Sequence, residues 1–240
     1  MTHSDTEELV ITLTPRITVD LVDHMGSDLS VVKAARVSTV GADAENSEES
    51  AGLINFLMRD RHGSPFEHNA LTFRVTAPLF VWREHHRHRI ASYNEESGRY
   101  KQLDPVFYVP DPERALRQVG KAGAYTFVPG DVDQQILVST SLADNAYSAY
   151  SRYQSMLDAG VAREVARMCL PVNIMSTCYV TMNARALMNF LSLRTKSEDS
   201  TYPSYPQREI EMVAEQYEAA FSELFPLTHK AFVDNGRVAP

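Results

Sequence analysis

The chain has 240 residues, of which 44% are apolar and 22% charged, a composition that excludes an intrinsically disordered protein and can form a full hydrophobic core. Its formal net charge of −8, from 31 Asp and Glu against 23 Lys and Arg, argues against nucleic-acid binding. No apolar run reaches the roughly 18 residues of a membrane span, and no basic-then-apolar leader begins the sequence. We therefore expect a cytoplasmic protein without membrane contact.

The first half of the chain predicts two helices with a strand between them. Apolar residues recur at helical spacing from Ser47 to about Arg61. Residues 70–77 alternate between apolar and polar, which predicts a half-buried strand. Pro78 then opens a helix that is expected to continue to about Ile90. The polar segment at residues 92–103 lacks either period and predicts a loop.

The second half of the chain predicts four helices and one strand. Helical spacing covers about residues 133–158, 163–170 and 207–224, while β-branched and aromatic residues predict a strand at 174–182. Asn183 caps a helix that ends near Arg194. Regular βαβ alternation and a Gly-x-Gly-x-x-Gly loop are both missing from the sequence. We therefore expect one α+β domain over residues 1–240, with no Rossmann motif.

The densest chemistry lies in a basic segment at residues 83–89, where six of seven positions are Arg or His. Within it, Arg87-His88-Arg89 is followed by seven residues and then Ser97. Arginine forks grip phosphate or carboxylate in two places, so this pattern suits a phosphorylated ligand that also forms hydrogen bonds. The plain alternative is a solvated charged helix face.

Two other function classes fit parts of this pattern. A non-catalytic nucleotide- or RNA-binding protein would use the basic helix with Tyr93 and Tyr100 as stacking surfaces. A metal-dependent nucleotide hydrolase would use the clustered histidines. However, no HExxH motif or Cys/His quartet occurs, and Cys169 and Cys178 lie in apolar surroundings. No metal is therefore expected.

Five sequence blocks, in order, resemble the flavin-dependent thymidylate synthases, and in particular their actinobacterial members. The family motif of Arg-His-Arg, seven residues and Ser is present in RHRIASYNEESGRY. The other four blocks are DLSVVKAARVS, HGSPFEH, REVARMCLP and NARALMNFLSLR. Together they span about residues 20–215, so the resemblance covers most of the chain.

The resemblance implies an antiparallel sheet flanked by helices and an enzyme that methylates dUMP to dTMP. FAD would be the cofactor, NADPH the reductant and 5,10-methylenetetrahydrofolate the one-carbon donor, with tetrahydrofolate released. A homotetramer with shared active sites is also implied. The folate-binding residues and the choice between NADPH and NADH stay open.

The resemblance also assigns roles to individual positions. Arg194 would activate the pyrimidine. Ser97 would lie in the catalytic site as a ligand of dUMP rather than a nucleophile, because the sequence establishes no His-carboxylate relay for it. The positions matching FAD contacts are Ser38, His62, Ser64, Arg87, His88, Arg89, Glu95, Asn183, Arg185 and Asn189. Those matching dUMP contacts are Glu84, Arg87, Ser97, Gly98, Arg99, Arg167 and Arg194.

Overall fold

The computed structural model describes residues 9–38, 47–121 and 124–240. The strands are β1 (Thr12–Thr14), β2 (Thr18–Met25), β3 (Ala70–Pro78), β4 (Ser92–Glu95), β5 (Val106–Tyr108), β6 (Arg117–Lys121), β7 (Ala124–Val128) and β8 (Met175–Met182). The α-helices are α1 (Asp28–Arg36), α2 (Ser47–Arg59), α3 (Leu79–His85), α4 (Val132–Asp158), α5 (Arg163–Ala166), α6 (Ala184–Arg194), α7 (Arg208–Leu224) and α8 (Pro226–Asp234). Short 3-10 helices cover Ser64–Glu67 and Arg167–Cys169.

The chain forms two compact units, each built from separated stretches of sequence. The first unit comprises Met1–Arg16, Ala77–Phe80 and Glu96–Ser176. The second comprises Ile17–Thr76, Val81–Glu95 and Thr177–Pro240. The assignment of residues 1–240 to a single catalytic domain stays a prediction.

The first unit combines two small sheets with the long helix α4. β1 pairs in parallel with β5, and β6 pairs antiparallel with β7 as a hairpin. Its buried core consists of Phe107, Ala146, Tyr150, Tyr153, Ala166 and Ile174. The predicted helices near residues 133–158 and 163–170 are confirmed as α4, and as α5 with the 3-10 turn after it.

The second unit contains a four-stranded sheet in the order β2-β3-β8-β4. β2 is antiparallel to β3, and β4 is antiparallel to β8. Between β3 and β8, the hydroxyl of Thr72 bonds to that of Thr181 and the hydroxyl of Thr76 to that of Thr177, at 2.9 and 2.8 Å. These pairs run in opposite directions along the two strands, as in an antiparallel ladder. The predicted α+β class with an antiparallel sheet and flanking helices is confirmed.

Strand β3 illustrates why the sequence pattern was sufficient for this element. Leu71, Phe73 and Val75 are fully buried, whereas Thr72 and Arg74 between them keep contact with solvent. Side chains alternate between the faces of a strand, so one face packs in the core and the other stays polar. The predicted helices α2, α6 and α7 are confirmed for the same reason, with apolar residues on one face.

Two predictions near the basic segment are wrong. Helix α3 ends at His85 instead of continuing to Ile90, and residues 92–95 form strand β4 instead of a loop. The Tyr93 hydroxyl accounts for both, because it lies 3.2 Å from the His85 carbonyl and 2.8 Å from the His88 carbonyl. A side chain from the following strand thus donates to the His88 carbonyl, while the His85 carbonyl accepts from the His88 N–H at 3.0 Å, so the helix end is satisfied without another turn.

No strand is predicted from the sequence before α1 or near residues 104–131, a region that contains Pro and Gly. The structure places β1 and β2 before α1, and β5, β6 and β7 near residues 104–131. Four of β2's eight positions are Thr, Asp or His, and most of its side chains are exposed, so no apolar period marked it. In the three described ranges, no helix combines the length and apolar character needed to cross a membrane.

Candidate active site

Helix α6 carries Arg194 as its last residue and is firmly fixed at its start. The Asn183 side chain accepts a hydrogen bond from the Ala186 backbone N–H at 2.9 Å, so the predicted N-cap is confirmed. Leu187 and Leu191 are fully buried along one face. Arg194 is therefore presented by a packed helix, which restricts its position more than a loop would.

The Arg194 guanidinium joins two residues from α3 and the segment after it. Its Nη1 donates to Glu84 Oε2 at 2.7 Å, its Nη2 to the Glu84 carbonyl at 3.4 Å, and its Nε to His88 Nε2 at 3.0 Å. Only 17% of the Arg194 side chain and 26% of the Glu84 side chain are exposed. A guanidinium has five N–H groups, and residues in the described ranges engage three of them, which leaves two for a ligand.

The bond from Arg194 fixes the protonation of His88. Since the arginine Nε can only donate, His88 Nε2 must accept, and a neutral ring then carries its proton on Nδ1. Burial first, and then the Arg194 charge, lower the pKa of His88 to about 4. His88 is therefore neutral at physiological pH and serves as an acceptor.

Glu84 balances the positive charge of Arg194 in a partly buried setting. Burial raises its pKa, while the Arg194 guanidinium opposes that rise and the buried Glu209 adds to it. Desolvation thus outweighs the attraction to the arginine. The Arg194 guanidinium favours the ionised form of the Glu84 carboxylate, so the charges of the two residues are coupled as well as their positions.

Arg87 and Arg89 differ from Arg194 because their side chains are exposed. They lie in the turn between α3 and β4, where Arg87 N–H bonds to the Glu84 carbonyl at 3.3 Å. Within the described ranges, neither guanidinium makes a hydrogen bond or an ion pair. Both retain their full set of donors for an anionic ligand.

His85 belongs to the basic segment in the sequence, but in the structure it adds no positive charge to the site. Its side chain is fully buried, between Phe190 and Trp82 at centroid distances of 4.7 and 5.2 Å. Burial lowers its pKa to about 3, followed by the neighbouring His88 and His86 charges. His85 is therefore a neutral core residue, and its ring nitrogens bond to the hydroxyls of Tyr93 and Tyr217.

A second group of predicted flavin contacts lies around the start of α6. Arg185 Nη1 pairs with Glu67 Oε1 and its Nε donates to the Pro240 carbonyl at 2.6 Å. Gly63 lies so close to the Arg185 guanidinium that a side chain at residue 63 would displace it. Asn189 donates to the Arg185 carbonyl at 3.0 Å and is exposed.

The other predicted flavin contacts in the second unit have local partners. The exposed His62 ring stacks on Phe56 at 5.6 Å, and the exposed Ser64 begins the 3-10 helix beside it. Ser38, just after α1, donates its hydroxyl to the Ala35 carbonyl at 3.2 Å. Glu95 is the last residue of β4 and is exposed.

The remaining predicted dUMP contacts lie in the first unit, near one another. Arg99 N–H donates to Ser97 Oγ at 3.3 Å, and Arg99 Nε pairs with Glu164 at 2.8 Å. Gly98 is buried against Arg167, and a Cβ there would lie 3.1 Å from Arg167 Cδ. The Arg167 side chain is exposed. Among the described residues of this unit, no histidine or carboxylate bonds to Ser97 Oγ.

The structure thus brings together predicted residues in three places. Glu84, His88 and Arg194 are bonded directly in the second unit, and Asn189 bonds to Arg185 there as well. In the first unit, Ser97 bonds to Arg99 and Gly98 lies beside Arg167. Among the described residues, no three His, Cys, Asp or Glu side chains are grouped so that they could hold a metal ion.

Comparison with known proteins identifies the family. A family model described as thymidylate synthase complementing protein matches residues 20–227. The flavin-dependent thymidylate synthase of Streptomyces coelicolor is 55% identical over 246 residues, covering 100% of both chains. That of Tropheryma whipplei strain TW08/27 is 56% identical over 228 residues, covering 93% of this chain and 95% of the relative. The chain belongs to the flavin-dependent thymidylate synthase family.

Two solved structures of one relative support the same conclusion. The UMP/dUMP methylase PolB from Streptomyces cacaoi, bound with 5-Br UMP, has a TM-score of 0.90 and 55% identity, over 96% of this chain and 99% of that chain. Its complex with 5-Br dUMP has a TM-score of 0.91 and 54% identity, over 96% and 100%. The predicted family, its actinobacterial character and the methyltransferase class are confirmed.

Three hydrogen-bonded residues next to His88 were not assigned to the site from the sequence. His85 and Tyr217 were given no site role, and Tyr93 was considered only as a stacking surface for nucleic acid. His85 and Tyr93 do flank the Arg-His-Arg motif, which was the one available signal. Tyr217 is 132 residues away from His85 in the chain, so no local pattern could link them.

Proposed function

We propose that this chain converts dUMP to dTMP, using 5,10-methylenetetrahydrofolate as one-carbon donor and FAD reduced by NADPH, and releases tetrahydrofolate. The observation that carries the proposal is the Arg194 guanidinium, which is fixed by Glu84 and His88 and keeps two N–H groups for a ligand. A buried and pre-oriented cation is what a pyrimidine needs when negative charge develops on its ring.

Arg194 acts electrostatically in this proposal. C5 of uracil must attack the one-carbon unit, and negative charge on the ring raises its nucleophilicity. The two remaining N–H groups of Arg194 would stabilise that charge, and their orientation is set before substrate arrives. No reorganisation is then required at the moment of reaction.

The cysteines support activation without a thiolate. In the folate-reducing type of synthase, a cysteine adds to C6 of the pyrimidine. Here burial raises the pKa of the Cys178 thiol to about 11, and the Cys169 thiol lies 3.3 Å from the Ala166 carbonyl as a donor. Neither has the cationic surroundings that generate a reactive thiolate.

The second unit offers side chains whose chemistry fits FAD. The unpaired guanidinium groups of Arg87 and Arg89 suit diphosphate oxygens, and the exposed His62 ring offers a flat surface for an aromatic ligand. When bound and reduced, the flavin supplies the hydride that converts the transferred methylene into a methyl group. The further assigned contacts are Ser38, Ser64, His88, Glu95, Asn183, Arg185 and Asn189.

The dUMP contacts divide by chemistry. Arg87 and Arg167 have exposed guanidinium groups suited to the 5′-phosphate, while Glu84 and Arg194 address the base. Ser97, Gly98 and Arg99 supply a hydroxyl, a backbone approach and a third cation. Because Arg99 is paired with Glu164 at an exposed site, that pair can exchange for phosphate at small cost.

UMP is a second candidate substrate, because PolB is named a UMP/dUMP methylase and is 55% identical to this chain. Parallel assays with dUMP and UMP would separate the two. Equal methylation of both would extend the substrate class to uracil 5′-monophosphates. Methylation of dUMP alone would restrict the activity to thymidylate synthesis.

Three further properties belong to the proposal. We assign the chain to a homotetramer with shared active sites and to the cytoplasm, and we assign residues 1–240 to a single catalytic domain. The tetramer would explain how 240 residues provide sites for FAD, dUMP and folate together. Light scattering of the purified protein tests it directly.

The deciding experiment follows the visible spectrum of the purified protein. Anaerobic NADPH should bleach a flavin band, which should return when dUMP and methylenetetrahydrofolate are added and dTMP forms. If FAD neither binds nor supports dTMP formation, the proposal fails and the basic segment must be a binding surface. Activity lost on chelation without any flavin would instead support a metal-dependent hydrolase.

A further inference from the structure

A line of hydrogen bonds runs from helix α7 to the segment that carries the Arg-His-Arg motif. Tyr217 Oη lies 2.9 Å from His85 Nε2, His85 Nδ1 lies 3.2 Å from Tyr93 Oη, and Tyr93 Oη lies 2.8 Å from the His88 carbonyl. Tyr217 and His85 are fully buried. The line ends on the residue whose ring accepts from Arg194.

Each hydrogen bond of this line can be assigned one donor and one acceptor without conflict. The His88 carbonyl can only accept, so Tyr93 donates its single hydroxyl proton there. Tyr93 Oη then accepts from His85 Nδ1–H, which leaves His85 Nε2 to accept from Tyr217. Burial raises the pKa of Tyr93 to about 12 and that of Tyr217 well above its usual value, so both hydroxyls stay protonated and can donate.

Phe190 of α6 packs against both histidines of the line. Its ring centroid lies 4.7 Å from that of His85 and 4.5 Å from that of His88. His88 is therefore held by its backbone through Tyr93 and by its ring through Phe190. These contacts leave the His88 ring little freedom beside Arg194.

We propose that Tyr93 and His85 are positioning residues that fix His88, and through it the Arg194 guanidinium, for attack on the pyrimidine. The inference rests on the proposed function and deepens it. Neither residue needs to touch substrate. Tyr93 anchors the His88 backbone, His85 orients Tyr93, and Tyr217 orients His85 from the core.

The consequence of losing this anchor is specific. Without the Tyr93 hydroxyl, the His88 carbonyl loses its partner and the turn at residues 86–91 can shift. Arg194 would keep its bond to Glu84 but lose the fixed acceptor for its Nε. Its free N–H groups would then point in a wider range of directions, and small misplacements of a catalytic group reduce turnover strongly.

Tyr93→Phe tests this by removing only the hydroxyl. We expect kcat for dTMP formation to fall by about tenfold or more, because the catalytic group is displaced. The KM for dUMP and the affinity for FAD should change by less than about threefold, since the long, exposed side chains of Arg87 and Arg89 can still reach an anion after a small shift of the turn. Tyr217→Phe, two hydrogen bonds further from His88 than Tyr93, should give a smaller fall in kcat and supplies a second test if Tyr93→Phe folds poorly.

Thr228→Val is the matched control. Thr228 is fully buried in the same unit, and its hydroxyl donates to Asp28 at 2.6 Å, outside the line described above. The Thr228→Val variant should lower the melting temperature at least as much as Tyr93→Phe does, while its kcat stays within about twofold of that of the unsubstituted protein. If kcat instead follows melting temperature in all three variants, Tyr93 has only a structural role.

A readout independent of turnover separates this inference from the proposed function. Exchange of the Arg194 Nε proton with solvent, followed by NMR, should be slower in the unsubstituted protein than in Tyr93→Phe. Faster exchange in the variant would support the positioning role even if dUMP proved not to be the substrate. Unchanged exchange together with unchanged kcat would overturn it.

Discussion

The two ends of helix α6 each carry an arginine bonded to a carboxylate, but their surroundings differ. At the start, the Arg185 and Glu67 side chains are 40% and 42% exposed. At the end, those of Arg194 and Glu84 are 17% and 26% exposed, and a neutral histidine accepts a third bond. An exposed ion pair contributes about 0–1 kcal/mol, so Arg185 can exchange its partner for a ligand at little cost.

The two ends of α6 thus show two different roles for arginine. Arg194 is held before any ligand arrives, which suits a group that must meet developing charge. Arg185, Arg87 and Arg89 are open to solvent, which suits groups that bind an anion and release it. The difference arises from packing, because all four residues are arginines near the same motif blocks.

The largest effect is expected from Arg194→Ala. Removing this pre-oriented guanidinium should lower kcat by at least about 10²-fold, as loss of one electrostatic donor typically does. Bound FAD should stay, and flavin absorbance after gel filtration measures it. Arg185→Ala, at the other end of the helix, is the control. Near-normal dTMP formation by Arg194→Ala would refute the distinction between the two ends.

The next effect concerns acid stability, because only the Arg194 end contains buried neutral histidines. The folded-state pKa values of His88 and His85 are about 4 and about 3, below the ordinary 6.5. The unfolded chain therefore binds protons that the folded chain does not, and stability falls as the pH falls from 6.5 towards 4. Each histidine contributes a slope of up to about 1.4 kcal/mol per pH unit.

Urea unfolding at about pH 7, 6 and 5 measures this slope. His85→Gln keeps a donor and an acceptor but cannot titrate, so the decline should become shallower. His86→Gln, an exposed neighbour, is the matched control. Burial tends to raise the pKa of Glu218, but its bonds to His229 and Arg237 outweigh burial and lower the pKa to about 2. Protonation of Glu218 therefore reduces stability only below about pH 4.5, outside the pH range of this measurement. An identical slope in the His85 variant would contradict the buried neutral histidine.

The smallest effect is expected from Arg185→Ala itself. Loss of one exposed ion pair should change the free energy of unfolding by less than about 1 kcal/mol. FAD affinity, measured by fluorescence titration, should fall by about tenfold, the loss of one charged hydrogen bond to a ligand. The kcat at saturating FAD should not change. A large loss of kcat would mean that both ends of α6 act in the chemistry.

The parts of the fold that the sequence predicted share a simple property. β3, α2, α6 and α7 each bury one face, so their apolar period could be counted. The exposed β2 and the short β4 have no such period. For β4, pairing with β8 through Asn94 and Tyr179 outweighed a polar local sequence. Strand partners lie far apart in the chain, and local patterns contain no information about them.

The sequence by itself determined the family, the set of candidate ligands and the concentration of cations at residues 83–89. Only the tertiary structure decided what each of those cations does. In the folded protein, His85 is a neutral core residue and Arg194 is hydrogen-bonded to Glu84 and His88. The Arg87 and Arg89 side chains remain exposed to solvent. The physical reason is that pKa and orientation depend on burial and on partners such as Tyr217, which fold together from distant parts of the chain.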